Sequence, residues 1–156
     1  MTTAQKTWTA GDILTAADMN TYARGGQEMG YASVTTNQTG ITTVVDVTGL
    51  SITWTAISSR VYELEAFVNV SSSAASDNVN VNICDSSNNQ IQAAVADLST
   101  TVGRLETISV RARVTGLSGS VTYKVRIFRN AGTGTLTVEA GATRPATFIV
   151  KDIGFN

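Results

Sequence analysis

Histidine is absent from the 156 residues. With it go the commonest general base, the Ser-His and Cys-His nucleophile pairs, and most zinc and iron ligand sets. Cysteine occurs once, as Cys84. No intramolecular disulfide can form, so the fold is not a stapled secreted scaffold. Charge is scarce: 15% of residues are charged, against about 25% in an average soluble domain. Eleven basic residues against twelve acidic ones leave a net charge of −1, too weak a field to draw in nucleic acid or an anionic membrane. No stretch approaches the ~20 apolar residues of a membrane-spanning helix. Residues 1–8 are polar and lack the apolar core of a signal peptide, which makes a soluble cytoplasmic product the expectation. These absences predict a protein that is not an enzyme and holds no metal or cofactor.

Hydrophobic residues make up 42% of the chain, enough to build a core. Thr, Ser and Asn stand where charge is missing, and short polar side chains suit exposed sheet faces and turns. The length fits one domain with an appended arm. Residues 1–30 read as the arm and residues 31–156 as an all-β domain.

The arm holds the one helix signal. Thr15 with Asp18 three residues on is a capping-box variant, Leu14 and Met19 are spaced as a hydrophobic staple, and Arg24 followed by Gly25-Gly26 ends the helix. About nine residues fall short of the ~12–15 at which isolated helices become stable in water, so the arm needs something to pack against.

From Tyr31 onward the period becomes two. Tyr62, Leu64, Ala66, Val68 and Val70 share one face, with Glu63, Glu65, Phe67 and Asn69 on the other. Val79, Val81 and Ile83 alternate with Asn78, Asn80 and Asn82; similar alternation runs over residues 107–114 and 121–128. Weaker strands are predicted at 32–36, 43–47, 50–55, 91–96, 135–139 and 147–151. Turns are expected at Gly40, Gly49, 71–76, 85–89, 116–119 and 130–134. Short strands at this spacing, each with one apolar face, predict an antiparallel β-sandwich or jelly roll.

Few constellations carry chemistry. Asp77, Asn78, Asn80, Asn82 and Asp85 offer hard oxygen ligands, but the calcium-loop glycine and terminal glutamate are missing and the segment alternates as a strand. Arg111 and Arg113 on one strand, with Lys124 and Arg126 on the next, would form a basic stripe across a hairpin. That stripe would serve as an ion-paired face, a subunit interface or a ligand site, with Glu63 and Glu65 at hand for pairing. Cys84 has no partner to lower its pKa and reads as inert. Glu63, Glu65, Glu106 and Glu139 could supply a glycosidase pair, but nothing singles one out. Trp8, Trp54 and the tyrosines read as core or interface anchors.

Residues 8–22, Trp8-Thr9-Ala10-Gly11-Asp12-Ile13-Leu14-Thr15-Ala16-Ala17-Asp18-Met19-Asn20-Thr21-Tyr22, resemble the W-x-x-G-x-x-L-T-A-A-x-x-N leader of many tailed-bacteriophage virion proteins of minor tail, tail-fibre or head-decoration type. Residues 146–154, ending Val150-Lys151-Asp152-Ile153-Gly154, are similar to the V-x-D-I-G close of the same group. Members commonly continue the leader into a longer polar helix, whereas Gly25-Gly26 stops it here, so a compact β module follows the arm directly. The resemblance implies a structural virion component docked through Trp8, Ile13, Leu14, Met19 and Tyr22 onto a capsid or tail subunit, with a homotrimer as the expected assembly. The alternative is a carbohydrate-binding module for host-surface adhesion, which needs an exposed aromatic platform or the basic stripe facing a groove.

Overall fold

Ten strands account for nearly all of the computed structural model, which describes residues 9–13, 15 and 26–155. The helix expected over 15–24 lies outside these residues apart from Thr15, as do Trp8, Leu14, Met19 and Tyr22. Among the described residues there is no helix. The strands are β1 (Gln27–Val34), β2 (Gln38–Ile41), β3 (Val45–Ala56), β4 (Arg60–Ser72), β5 (Asn78–Asp85), β6 (Gln90–Asp97), β7 (Glu106–Thr115), β8 (Gly119–Ala131), β9 (Leu136–Val138) and β10 (Ala146–Phe155).

Their pairing is that of one long antiparallel ribbon rolled up. β5 pairs β6 at the tip; moving outward, β4 pairs β7, β3 pairs β8, β2 pairs β9 and β1 pairs β10. Three seams close the roll: β10 on β4, β9 on the end of β4, and β8 on β5. The result is two antiparallel sheets packed face to face in jelly-roll order. The first sheet runs β1-β10-β4-β7, with β9 continuing the β10 position and β2 beside it; the second runs β3-β8-β5-β6.

Alternation explains which side chains fill the space between. Tyr62, Leu64, Ala66, Val68 and Val70 of β4 are fully inaccessible and face Val79, Val81, Ile83, Val125 and Ile127 of the second sheet in a single core. Trp54 joins that core, its ring centroid 5.5 Å from Tyr62 and 5.4 Å from Tyr123. β1 reaches the core at Gly30, where an added Cβ would overlap the Ile52 side chain, so glycine permits the two sheets to approach at this edge.

Several boundaries differ from the sequence reading. β1 begins at Gln27, inside the segment assigned to the arm, because backbone pairing with β10 extends past the alternating residues. Gly40 and Gly49 lie within β2 and β3. Gly49, at φ +89, sits where the β3–β8 register shifts between Asp46 and Ser51, and marks a bulge. Ser71 and Ser72 belong to β4 and are buried.

A buried ion pair fixes one end of the roll. Arg60 Nε donates to Asp152 Oδ2 at 2.7 Å, with the two side chains 2% and 1% exposed, and the guanidinium lies 4.3 Å from the Phe155 ring centroid. The Asp152 carboxylate also accepts from Gly154 N–H, and its carbonyl from Gly26 N–H at 2.6 Å. Removing one partner leaves a buried charge uncompensated, so Arg60→Ala should cost about 3–5 kcal/mol. The double variant Arg60→Met/Asp152→Leu should recover most of that loss, and urea unfolding of the single and double variants checks both.

Candidate functional site

Both outer sheet faces carry cross-strand ion pairs. On the first sheet Glu63 and Glu65 of β4 lie directly across from Arg113 and Arg111 of β7. Arg111 Nη2 reaches diagonally to Glu63 Oε1 at 2.7 Å, and Lys151 Nζ of β10 stands 3.8 Å from Glu65 Oε2. On the second sheet Asp46 of β3 sits between Lys124 and Arg126 of β8, at 2.8 and 2.9 Å. The four cations therefore do not form one stripe. β7 and β8 belong to different sheets, so the short connection between them crosses the sandwich instead of closing a hairpin.

Beside the Asp46 triad, β5 presents Asn78, Asn80 and Asn82 in a row. Asn78 Nδ2 donates to Asp97 Oδ1 at 2.7 Å, and Asn130 Nδ2 to Asn78 Oδ1 at 2.9 Å. The Oδ1 atoms of Asn80 and Asn82 are closed to solvent and find no hydrogen-bond partner among the described residues. Phe128 and Val95 flank Asn80 on the neighbouring strands. Asp77 does not join this row, and among the described residues no three metal-binding side chains converge.

Asp77 instead is the hub of one end of the sandwich. Its fully buried carboxylate accepts from the Ser72 hydroxyl and from Thr133 and Gly134 N–H, while its carbonyl accepts from Leu98 N–H. Three connections, 73–77, 98–105 and 132–135, are thereby tied together. Gly132, at φ +104, approaches the carboxylate so closely that a Cβ would overlap it. Burial raises the Asp77 pKa, but the hydrogen bonds from Ser72, Gly134 and Thr133, with Arg129 nearby, outweigh it and hold the carboxyl below its usual value. A depressed folded-state pKa contributes stability above the unfolded carboxylate pKa and loses it as pH falls through the folded one. Asp77→Asn should cost about 1–3 kcal/mol at neutral pH. The gap from the unsubstituted protein should narrow on acidification, which chemical denaturation across a pH series measures.

An open groove of about 250 Å³ lies at an edge of the sandwich, with Val34, Val47 and Val138 on its floor and Thr36, Asn37, Gln38 and Thr48 on its rim. The rim amides are engaged in framework bonds. Asn37 bridges Glu139 and Ala140 N–H, and Gln38 bridges the Asp46 carbonyl and Thr48 N–H. Glu139 also accepts from Ser71, and Glu106 stands 3.7 Å from Arg104. The four candidate glutamates thus sit in separate local contacts.

Of the predicted docking residues, Ile13 is described and is 82% exposed. Cys84 is buried, and burial pushes its thiol pKa up, consistent with an unreactive side chain. Trp54 is core. Two aromatics that composition gave no reason to separate from the core lie outward on the first sheet: Tyr31, 51% exposed, and Phe67, 37% exposed. They flank β10 opposite Ile149 and Thr147. The alternation of β4 put Phe67 on this face; nothing in the short pattern around Tyr31 distinguished its side.

No family model and no curated protein matches the chain. Among solved structures it is similar to the tripod from the baseplate of bacteriophage Tuc2009, at 16% identity over 99% of this chain and 76% of that one, TM-score 0.45. The infectious bursal disease virus VP2 subviral particle aligns at 11% identity over 81% and 38%, TM-score 0.43. The CBM22-1 xylan-binding domain of Paenibacillus barcinonensis Xyn10C aligns at 9% identity over 85% and 99%, TM-score 0.38.

Proposed function

We propose that this protein is a non-enzymatic structural component of a tailed-phage virion, held by its N-terminal arm and displaying the β-sandwich on the particle surface as a capsid decoration, head fibre or minor tail protein. The leader resemblance of residues 8–22 supports this reading, and one geometric observation carries it. The arm enters the sandwich at Gly26, whose N–H donates to the Asp152 carbonyl, so both ends of the folded module meet at one corner beside the Arg60–Asp152 pair. Tension on the arm passes into the β1–β10 ladder, which pairs from Gln27 to Val34, and the far faces stay free to project.

In this reading Trp8, Ile13, Leu14, Met19 and Tyr22 bury themselves on a neighbouring virion subunit, where a few aromatic and aliphatic anchors supply most of the affinity. The exposure of Ile13 fits a side chain awaiting a partner. Deleting residues 1–25 should abolish incorporation into particles and leave the thermal unfolding of the sandwich nearly unchanged. Normal incorporation of the truncated chain would end the docking model.

A second reading, carbohydrate adhesion, is favoured by Tyr31 and Phe67 on the open face of the first sheet, since exposed rings can stack on sugar faces. Binding on a glycan array that Tyr31→Ala and Phe67→Ala both abolish would establish it; no signal on any glycan would remove it.

A further inference from the structure

A sandwich has four sheet edges, and three of them here are protected. β1 and β3 lie against one another, with Gly30 under Ile52 and Gly49 against Val34. β3 is further broken by its bulge between Asp46 and Ser51. β7 carries Arg111, Arg113 and Glu106 along its length, and like charges meeting across a new strand pair oppose pairing. β6 lies near β7 across the sandwich, but it has neither the bulge of β3 nor the charges that β7 carries along its length. Its sequence from Gln90 to Ala96 is Gln-Ile-Gln-Ala-Ala-Val-Ala, without charge or proline. Its one charge, Asp97, sits at the end and is held by Asn78 of its own sheet. A register shift at Ile83/Cys84 accommodates Ile91, and from Gln92 to Asp97 the ladder with β5 is regular. That leaves an outer edge about 20 Å long whose outward N–H and C=O groups have no strand beside them among the described residues.

The side chains along this edge suit burial. Val95 is 55% exposed. Ala93 and Val95 lie beside Asn82 and Asn80 on the outer face, and Phe128 stands beyond Asn80.

We propose that β6 is a self-association edge: the β6 strands of two copies pair antiparallel about a two-fold axis and join two four-stranded sheets into one of eight. A second copy is the fitting occupant because antiparallel self-pairing places the two Asp97 side chains at opposite ends of the shared ladder. No like charges meet there, and a net charge of −1 per chain does little to hold copies apart. The contact is isologous, so it closes at even copy numbers. It rests on the sheet edges and is independent of the virion role.

Sedimentation velocity of the full chain over a concentration series tests it. The expected species is a dimer, or a hexamer where arm contacts also gather three copies. Val95→Lys should raise the dissociation constant of the pair about tenfold or more, because each copy then brings an unpaired charge to the shared edge. Val44→Lys, at a residue 46% exposed just before β3 on the far side of the second sheet, should leave it unchanged. Hydrogen exchange at residues 92–96 should slow as the unsubstituted protein is concentrated. A monomer at every concentration or a trimer alone would overturn the proposal, as would an assembly indifferent to Val95→Lys.

Discussion

β10 lies along β4 from Thr147 opposite Phe67 to Phe155 opposite Arg60, and this seam turns a ribbon into a closed sandwich. The hairpin-like pairs alone would give a long two-stranded strip, which in water has too little buried face to persist. Docking β10 on β4 sets Phe148 and Val150 beside Ala66 and Leu64, all of them fully inaccessible. A slip of one residue would turn Phe148 and Val150 to solvent and bring Ile149 and Lys151 inward. The Arg60–Asp152 pair stands at the end of the seam, where the register shifts between Asp152 and Gly154. Buried where solvent cannot substitute for either partner, it penalises every register but one.

Strand existence was legible wherever one face is buried and the other polar. β4, β5, β7 and β8 announce themselves by strict alternation, and the structure buries the faces that alternation selected. Legibility failed where the backbone, not the side chains, decides. Gln27 to Gly30 have no apolar alternation, yet β10 recruits them; Gly40 and Gly49 look like turns by residue type but sit inside strands as bulge or edge positions. Ser71 and Ser72 look like loop because their hydroxyls are polar, but Ser72 is spent on Asp77 inside the fold.

The candidate site was less legible than the strands, for a topological reason. Neighbouring strands in sequence usually pair, and that premise set Arg111 and Arg113 beside Lys124 and Arg126. In a rolled ribbon β7 pairs back to β4 and β8 back to β3, so these two consecutive strands lie in different sheets. The Glu63 and Arg111 partnership crosses 48 residues and that of Asp46 with Arg126 crosses 80; local spacing carries no trace of either. Asp77 was seen only as one oxygen among several, since its donors on 133 and 134 become visible when the second half of the roll returns.

The surface that results has little far-reaching field. Cross-strand ion pairs offset much of the charge on each outer face, and much of the rest is neutral and hydroxyl- or amide-bearing, as where the Thr53 and Thr122 hydroxyls meet at 2.7 Å. A net charge of −1 gives little long-range steering of a charged partner, which leaves short-range contacts as the means of recognition. The proposed docking arm would be one such part, and the β6 edge another. The two reinforce each other: sandwiches joined at β6 would carry their arms in pairs, and the second arm would bind at the high effective concentration set by the first. On the proposed reading, a short arm of modest affinity would then hold the protein on its particle without the electrostatic steering that this chain's composition withholds.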